Sequence, residues 1–390
     1  MYLMGKEEID AVARVIEKGD FFKINSSYQE SMHVEEDLAR IFNVKYPIFM
    51  TSGHAALTTA LVALGIGPGD EVIVPAYTYI STAMAIVGAG AMPVVAEIDE
   101  TLTISPEDIE KKITPRTKAV MPVHIQGFPC NMDAIMAIAK KHNIAVVEDS
   151  CQADGGSYKG KRLGTIGDAG ALSFNYYKII TCGEGGALLT NRKDVFERSM
   201  IYHDSNAIAF FGDQLKDNAT EPFCGHEFRS NDISSAILRV QLTRMDGILE
   251  TLRANKKYMV DALSSYCTVA PSNDAEGDCG VVIALQFENE AIARKFATSE
   301  GMKLGLPIDT GKHVYKNWTP IMNKKGAFNP LMDPFKMEAN KDIVPDYKED
   351  MCPKSLDILS RTVYIGNPLN ATKEEMDEKI DTIKRALKAL

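Results

Sequence analysis

Between Val44 and Asn191, short and almost uninterrupted apolar runs alternate with amphipathic stretches at a spacing of about 20 to 30 residues. YPIFMT (46–51), EVIVP (71–75), MPVVAEID (92–99), TKAVMPV (117–123) and IAVVED (144–149) read as strands. GHAALTTALVALG after the first run and NMDAIMAIAKKH (131–142) read as helices, and Ser105-Pro106-Glu107-Asp108 supplies a cap, a first-turn proline and an acidic first turn. A strand apolar on both faces has to be covered on both faces. The alternation therefore predicts an α/β fold, with a mostly parallel central sheet between helices in a large domain. Ligands of such sheets sit beyond the carboxyl ends of the strands.

Past Asn191 the pattern turns helical, with a long segment from about Asn231 to Leu263. A smaller α/β unit follows: VVIALQF (281–287) as a strand, Glu290–Glu300 as a helix, and a terminal helix from Lys373. The expected division is a large domain over 1–250 and a small C-terminal domain over 251–390. Gly305–Pro353, rich in Pro, Asn and Lys and without a clear period, is expected to be ordered loop that carries specificity.

Composition removes several function classes. The 43 basic and 53 acidic residues leave a net charge of −10, and no basic run marks a nucleic-acid or anionic-membrane surface. No apolar stretch approaches the roughly 18 residues of a membrane span, and the N-terminus has no apolar run of signal-peptide length. The seven cysteines are scattered without a Cys-x-x-Cys, so reduced thiols and a cytoplasmic location are expected. No Gly-x-Gly-x-x-Gly follows a strand, because Gly65-Ile66-Gly67-Pro68-Gly69-Asp70 precedes one and reads as a turn. There is no Walker motif, no His-Glu-x-x-His and no metal spacing among the histidines. NAD, ATP and metal chemistry lose ground; no metal site is expected.

Three places carry chemistry. Thr51-Ser52-Gly53-His54-Ala55-Ala56 stands where the first strand gives way to a helix, so small residues expose N–H groups at a positive helix end suited to phosphate. An N-cap serine with a packing glycine is the plainer alternative. Asp149 ends the strand IAVVE, where a carboxylate needs a cationic partner or hydrogen bonds, which a protonated ring nitrogen would supply; a loop-capping Asp is the alternative. Ser173-Phe174-Asn175-Tyr176-Tyr177-Lys178-Ile179-Ile180 sets one lysine among aromatic and branched neighbours, just before Gly183-Glu184-Gly185-Gly186. Apolar surroundings favour the neutral, nucleophilic amine, and the glycines suit close backbone approach to a ligand. The alternative is a lysine snorkelling from a core segment.

In this order, Ser52-Gly53-x-Ala55-Ala56, Gly67-Pro68-Gly69-Asp70-Glu71-Val72, Thr114-Pro115-Arg116-Thr117-Lys118-Ala119, Glu148-Asp149-x-x-Gln152-Ala153, Gly167-Asp168 and Ser173-Phe174-x-x-x-Lys178 resemble the DegT/DnrJ/EryC1/StrS sugar aminotransferases. These are fold-type-I pyridoxal 5′-phosphate enzymes, and the resemblance covers nearly the whole chain. It implies a Schiff base between Lys178 and the cofactor, with Lys178 then moving a proton. By the same resemblance Asp149 pairs with the ring nitrogen, Gln152 bonds the ring hydroxyl and Tyr79 stacks on the ring. Ser52, Gly53, His54 and Ser173 would surround the phosphate. Two positions depart from the family pattern: His54 replaces the usual Thr, and Glu227, in Gly225-His226-Glu227-Phe228-Arg229, replaces an Asn that reaches the partner subunit's phosphate.

The resemblance further implies a homodimer with shared active sites, an amino-acid donor (glutamate) and an oxo-sugar acceptor. The acceptor is either a nucleotide-linked keto-sugar or an unactivated one such as 8-oxo-3-deoxy-octulosonate. His313-Val314-Tyr315-Lys316-Asn317-Trp318 and the Gly-His-Glu-Phe-Arg variant are more similar to the octulosonate enzymes. His313, Tyr315 and Trp318 are the candidate acceptor-reading groups, and Arg229 is the candidate for the donor carboxylate. The alternatives are a sugar dehydratase, whose relatives carry His in place of Lys178, and a non-catalytic relative of the fold.

Overall fold

The computed structural model describes residues 3–19, 21–23, 30–205, 215, 220–299 and 301–390. Its strands are β1 (Tyr46–Met50), β2 (Glu71–Pro75), β3 (Met92–Ala96), β4 (Thr117–Val120), β5 (Ala145–Asp149), the small hairpin β6 (Ser157–Tyr158) and β7 (Lys161–Arg162), β8 (Ala169–Ser173), β9 (Gly186–Thr190), β10 (Thr268–Val269), β11 (Val282–Gln286) and β12 (Thr362–Gly366). The helices are α1 (Lys6–Lys18), α2 (Glu30–Phe42), α3 (Gly53–Ala63), α4 (Ser81–Gly88), α5 (Pro106–Lys112), α6 (Met132–His142), α7 (Lys193–His203), α8 (Asp232–Leu263), α9 (Glu290–Ala297), α10 (Thr319–Met322), α11 (Pro353–Ser360) and α12 (Lys373–Lys388).

Seven strands form the central sheet in the order β1-β9-β8-β5-β4-β2-β3. β2 pairs in parallel with β3 and β4, β4 with β5, and β5 with β8. β9 is antiparallel to both of its neighbours. The crossovers from β2 to β5 pass through α4, α5 and α6, and local signals stop and start those helices. Ser105 accepts from Asp108 N–H at the start of α5, Asn131 accepts from Ala134 N–H at the start of α6, and Asn143 closes α6 in the left-handed region at φ 53°. Every residue of β2, Glu71 included, is buried, as are all of β8 and β9.

At the end of β5 two adjacent acids part company. Glu148 is fully buried and accepts from His124 Nε2 (3.1 Å) and from the backbone N–H groups of Gly164, Ile166 and Gly167, pinning the loop before β8. Asp149, next along the strand, faces the other way, into the cleft described below.

Three hydrophobic clusters are present among the described residues, the smallest being Ala11, Val15 and Ala236 between α1 and α8. The largest surrounds the seven-stranded sheet. The second, with Met259, Leu263, Ile283, Leu285, Phe296, Val363, Ile365, Ile380 and Ile383, lies around the antiparallel sheet β10-β11-β12. The expected domain boundary at 250 falls inside the unbroken helix α8. Val314, Trp318, Phe335, Tyr347 and Leu359 belong to the largest cluster, so the segment before β12 wraps back onto the first unit. Among the described residues no helix is long and apolar enough to cross a membrane.

Candidate active site

The cleft forms where β1, β5 and β8 end, and small residues allow the three ends to meet. Ser52 caps α3 from an extended conformation, and its hydroxyl accepts from Ala55 N–H at 3.1 Å. Ala56 N–H donates to Ser52 O. That leaves the N–H groups of Gly53 and His54, at the positive end of α3, without a partner among the described residues. A methyl group on Gly53 would lie 2.5 Å from Cys151 Sγ and 3.0 Å from Ser173 Cβ. One on Gly186 would lie 2.2 Å from the carbonyl carbon of Ser52. The close approach that Gly186 permits is thus to the α3 start, not to a ligand as the sequence suggests, and Gly186 opens a strand instead of a turn.

Asp149 is buried but not isolated. Its Oδ2 accepts from Thr82 Oγ1 (2.7 Å) and its Oδ1 from Cys151 N–H (3.1 Å), so the carboxylate is held in one orientation. Gln152 Oε1 accepts from Gln126 N–H at 3.1 Å, which leaves its amide NH2 as the group free to donate into the cleft. Ser173 is buried at the end of β8.

Lys178 sits in the turn that follows β8. Its N–H donates to Asn175 O (3.0 Å), while Asn175 Nδ2 donates to Glu184 Oε1 (2.9 Å) and ties the two sides of the turn together. Ile179 and Ile180 are buried, but Tyr176 and Tyr177 are 60% and 78% exposed, so the apolar surroundings expected for Lys178 exist on one side only. Desolvation at the cleft wall lowers the pKa of His54, whose Nδ1 lies 2.9 Å from Ser81 Oγ. Burial, then the charges of Lys178 and Lys312, lower that of His313. Both imidazoles are therefore neutral at pH 7.

Ser52, Gly53, His54, Tyr79, Asp149, Gln152, Ser173, Lys178 and His313 line one cleft of about 500 Å³. Four other residues singled out in the sequence do not. Trp318 and Tyr315 are fully buried: the indole N–H of Trp318 donates to Lys312 O (3.2 Å), and the Tyr315 hydroxyl donates to Glu349 O (2.5 Å) and accepts from Cys352 N–H (3.1 Å). They anchor the segment whose neighbouring residue, His313, does reach the cleft. Arg229 donates to both oxygens of Asp204 (2.9 Å each) and pairs with Glu227 (2.9 Å), so its guanidinium is committed within the chain. Leu57, Ser81, Thr82, Cys151, Asn175, Tyr177, Glu184 and Lys312 complete the lining. Of these, Lys312 could have been found by its adjacency to His313.

Residues 3–299 match the DegT/DnrJ/EryC1/StrS aminotransferase family. The chain belongs to that family, whose members are fold-type-I enzymes dependent on pyridoxal phosphate. It is 40% identical to the GDP-perosamine synthase of Caulobacter vibrioides over 237 residues, which is 60% of this chain and 61% of that enzyme. It is 29% identical to the spore coat polysaccharide biosynthesis protein SpsC of Bacillus subtilis over 99% of this chain and 96% of that protein. The structure of an aminotransferase from Psychrobacter cryohalolentis superposes with a TM-score of 0.80 at 27% identity, covering 100% of this chain and 98% of that one.

The chemistry of the cleft fits the cofactor group by group. Unpartnered N–H groups at a helix start suit a phosphate, an oriented carboxylate suits a protonated pyridine nitrogen, an amide NH2 suits a phenolic oxygen, and a lysine amine suits an aldehyde.

Proposed function

We propose that this chain is an aminotransferase of amino-sugar biosynthesis that moves an amino group from glutamate to an oxo carbon of a sugar. The observation that carries this reading is the meeting of Lys178, Asp149, Gln152, Ser173 and the start of α3 in a single cleft. The GDP-perosamine and spore-coat-polysaccharide relatives support a sugar as the acceptor.

When bound, pyridoxal phosphate supplies an aldehyde for amine exchange and a sink for the electrons released at the substrate carbon. The N–H groups of Gly53 and His54, with the Ser173 hydroxyl, hold its phosphate. Asp149, kept in one orientation by Thr82 and Cys151, holds the ring nitrogen in its protonated form. Gln152 donates to the ring oxygen, and Tyr79 covers the ring. Lys178 would carry the cofactor covalently. Its Nζ, when free, would be the group placed to accept a proton at the substrate carbon and to give it back. Only one substrate can engage at a time, so donor and acceptor use the cleft in turn. The active form is a homodimer with shared sites, as the family resemblance implies, and exposed Tyr177 beside Lys178 is a surface that a second copy would cover.

Glutamate alone should convert the yellow enzyme to its colourless amine form and release 2-oxoglutarate. Lys178→Ala should fold normally, show no turnover, and retain no cofactor after borohydride treatment. Reduced cofactor found on another lysine would refute the assignment, and no spectral change with any amino acid would refute the transaminase itself.

A further inference from the structure

The chemistry above leaves one cation of the cleft unused. Among the described residues, Lys312 and Lys178 are the cleft's two ammonium groups, and the lining contains no arginine. Arg229, the cation that the sequence offers for a substrate carboxylate, is held by Asp204 and Glu227 away from the cleft lining.

The backbone of Lys312 is fixed from several sides. Its carbonyl accepts from Ile80 N–H (2.8 Å) and from the fully buried indole of Trp318 (3.2 Å). Thr78 N–H donates to His313 O (2.9 Å) and Tyr315 N–H to Ala76 O (3.0 Å), so this segment is laced antiparallel onto residues 76–80. The side chain, by contrast, is exposed and makes neither an ion pair nor a hydrogen bond among the described residues. The cleft's acids are otherwise engaged: Asp149 by Thr82 and Cys151, and Glu184 by Asn175. A cation on a rigid mount at the cleft wall, with no internal carboxylate to neutralise it, is placed to meet a ligand's charge.

We propose that Lys312 reads the anionic group of both substrates: the side-chain carboxylate of the donor in one half-cycle and an acidic group of the acceptor in the other. The acceptor is therefore an acidic oxo-sugar. This rests on the transaminase reading, because one reactive amine forces both substrates through one cleft, where the cation that serves the first also meets the second. A sugar-acid carboxylate and the phosphate of a nucleotide-linked sugar share this chemistry.

The test uses the cofactor-loaded enzyme and its visible spectrum. In the wild type, glutamate should act at lower concentration than glutamine. Lys312→Gln should raise the half-saturating concentration of glutamate about ten-fold and leave that of glutamine unchanged, while Lys312→Arg should retain the preference. Gluconate, glucose 1-phosphate and glucose then serve as unreactive competitors of glutamate. Competition by gluconate that Lys312→Gln abolishes supports a sugar acid, and the same behaviour of glucose 1-phosphate supports a phosphorylated acceptor. Equal weakening of glutamate and glutamine in Lys312→Gln, or anion competition that the substitution leaves intact, overturns the assignment. A wild-type spectrum that no amino acid changes overturns the transaminase reading instead.

Discussion

Asp154 is the acid most at odds with its surroundings, and it gives the sharpest test of the electrostatics beneath the site. It is fully buried, neither carboxylate oxygen makes a well-formed hydrogen bond, and burial pushes its pKa up to about 8 from the ordinary 3.8 in spite of the opposing charge of Lys178 and the nearby Ser173 N–H. The folded chain therefore keeps a proton that the unfolded chain gives up near pH 4. Because the folded-state pKa is the raised one, the stability that this group contributes is fully present below pH 4 and is lost as the pH climbs toward 8, by about 1.4 kcal/mol for each pH unit. Asp154→Asn keeps the shape and removes the titration, at a fixed cost of about 1–3 kcal/mol for a buried amide that lacks partners. That cost does not vary with pH, so the difference between the two proteins isolates the carboxyl group. Between pH 5 and 8.5 the stability difference should move by about 4 kcal/mol in favour of the variant. Urea unfolding of both proteins across that range, at equal concentration and cofactor loading, measures it. Parallel stability curves would refute the argument, because they would mean that Asp154 ionises as easily folded as unfolded.

Further outcomes rest on particular contacts. Gly186→Ala puts a methyl group 2.2 Å from the Ser52 carbonyl carbon, where only backbone can give way; stability should fall by about 1–3 kcal/mol, and equilibrium dialysis should show weaker retention of pyridoxal phosphate. Trp318→Ala removes the buried anchor beneath the 312–313 wall and should cost about 3–5 kcal/mol with equal damage to both half-reactions. His313→Ala should slow only the sugar half-reaction, a contrast that stopped-flow spectra resolve. Arg229→Ala removes the guanidinium paired with a buried Asp204 and should lower the urea midpoint, whereas Glu227→Gln, at a half-exposed carboxylate, should change it little.

What the sequence makes legible follows from what burial demands. β2 and β5 are covered on both faces, so EVIVP and IAVVED carry unbroken apolar runs and announce themselves as parallel strands. β8 and β9 do not, although they are equally buried. AGALS and GALLT are poor in β-branched residues because neighbouring backbone comes too near: a methyl group on Gly170 would lie 2.2 Å from Gly164 O, as one on Gly186 would from Ser52. Packing at that distance selects glycine and alanine, and the strand signal disappears where the fold is tightest. The residues proposed to face the cofactor are legible for a related reason. Each stands at or just past the end of an apolar run, where Ser52, Asp149 and Lys178 contrast with what precedes them.

The wall proposed to meet the substrates is harder to read, and the reason is topological. Lys312 and His313 reach the cleft only because an antiparallel bridge joins Tyr77 to Val314, residues far apart in the sequence. No period in an aperiodic segment says which of its members face a ligand, so Tyr315 and Trp318, with their polar edges, look as able to hold a sugar as His313 does. Burial separates them: an indole that is fully enclosed and already donates to a backbone carbonyl has nothing left to offer a substrate. That same bond makes the neighbouring side chains useful. A flexible lysine on a loose loop would spend much of its interaction energy on its own ordering, about 2 kcal/mol for side-chain rotamers alone. Fixing the backbone of Lys312 against Ile80 and Trp318 lowers the remaining cost, since only the side chain is left to order when the anion arrives. The division of labour between a buried aromatic anchor and an exposed charge next to it is thus what a cleft needs if it must accept two chemically different substrates in turn and hold each by its acidic end.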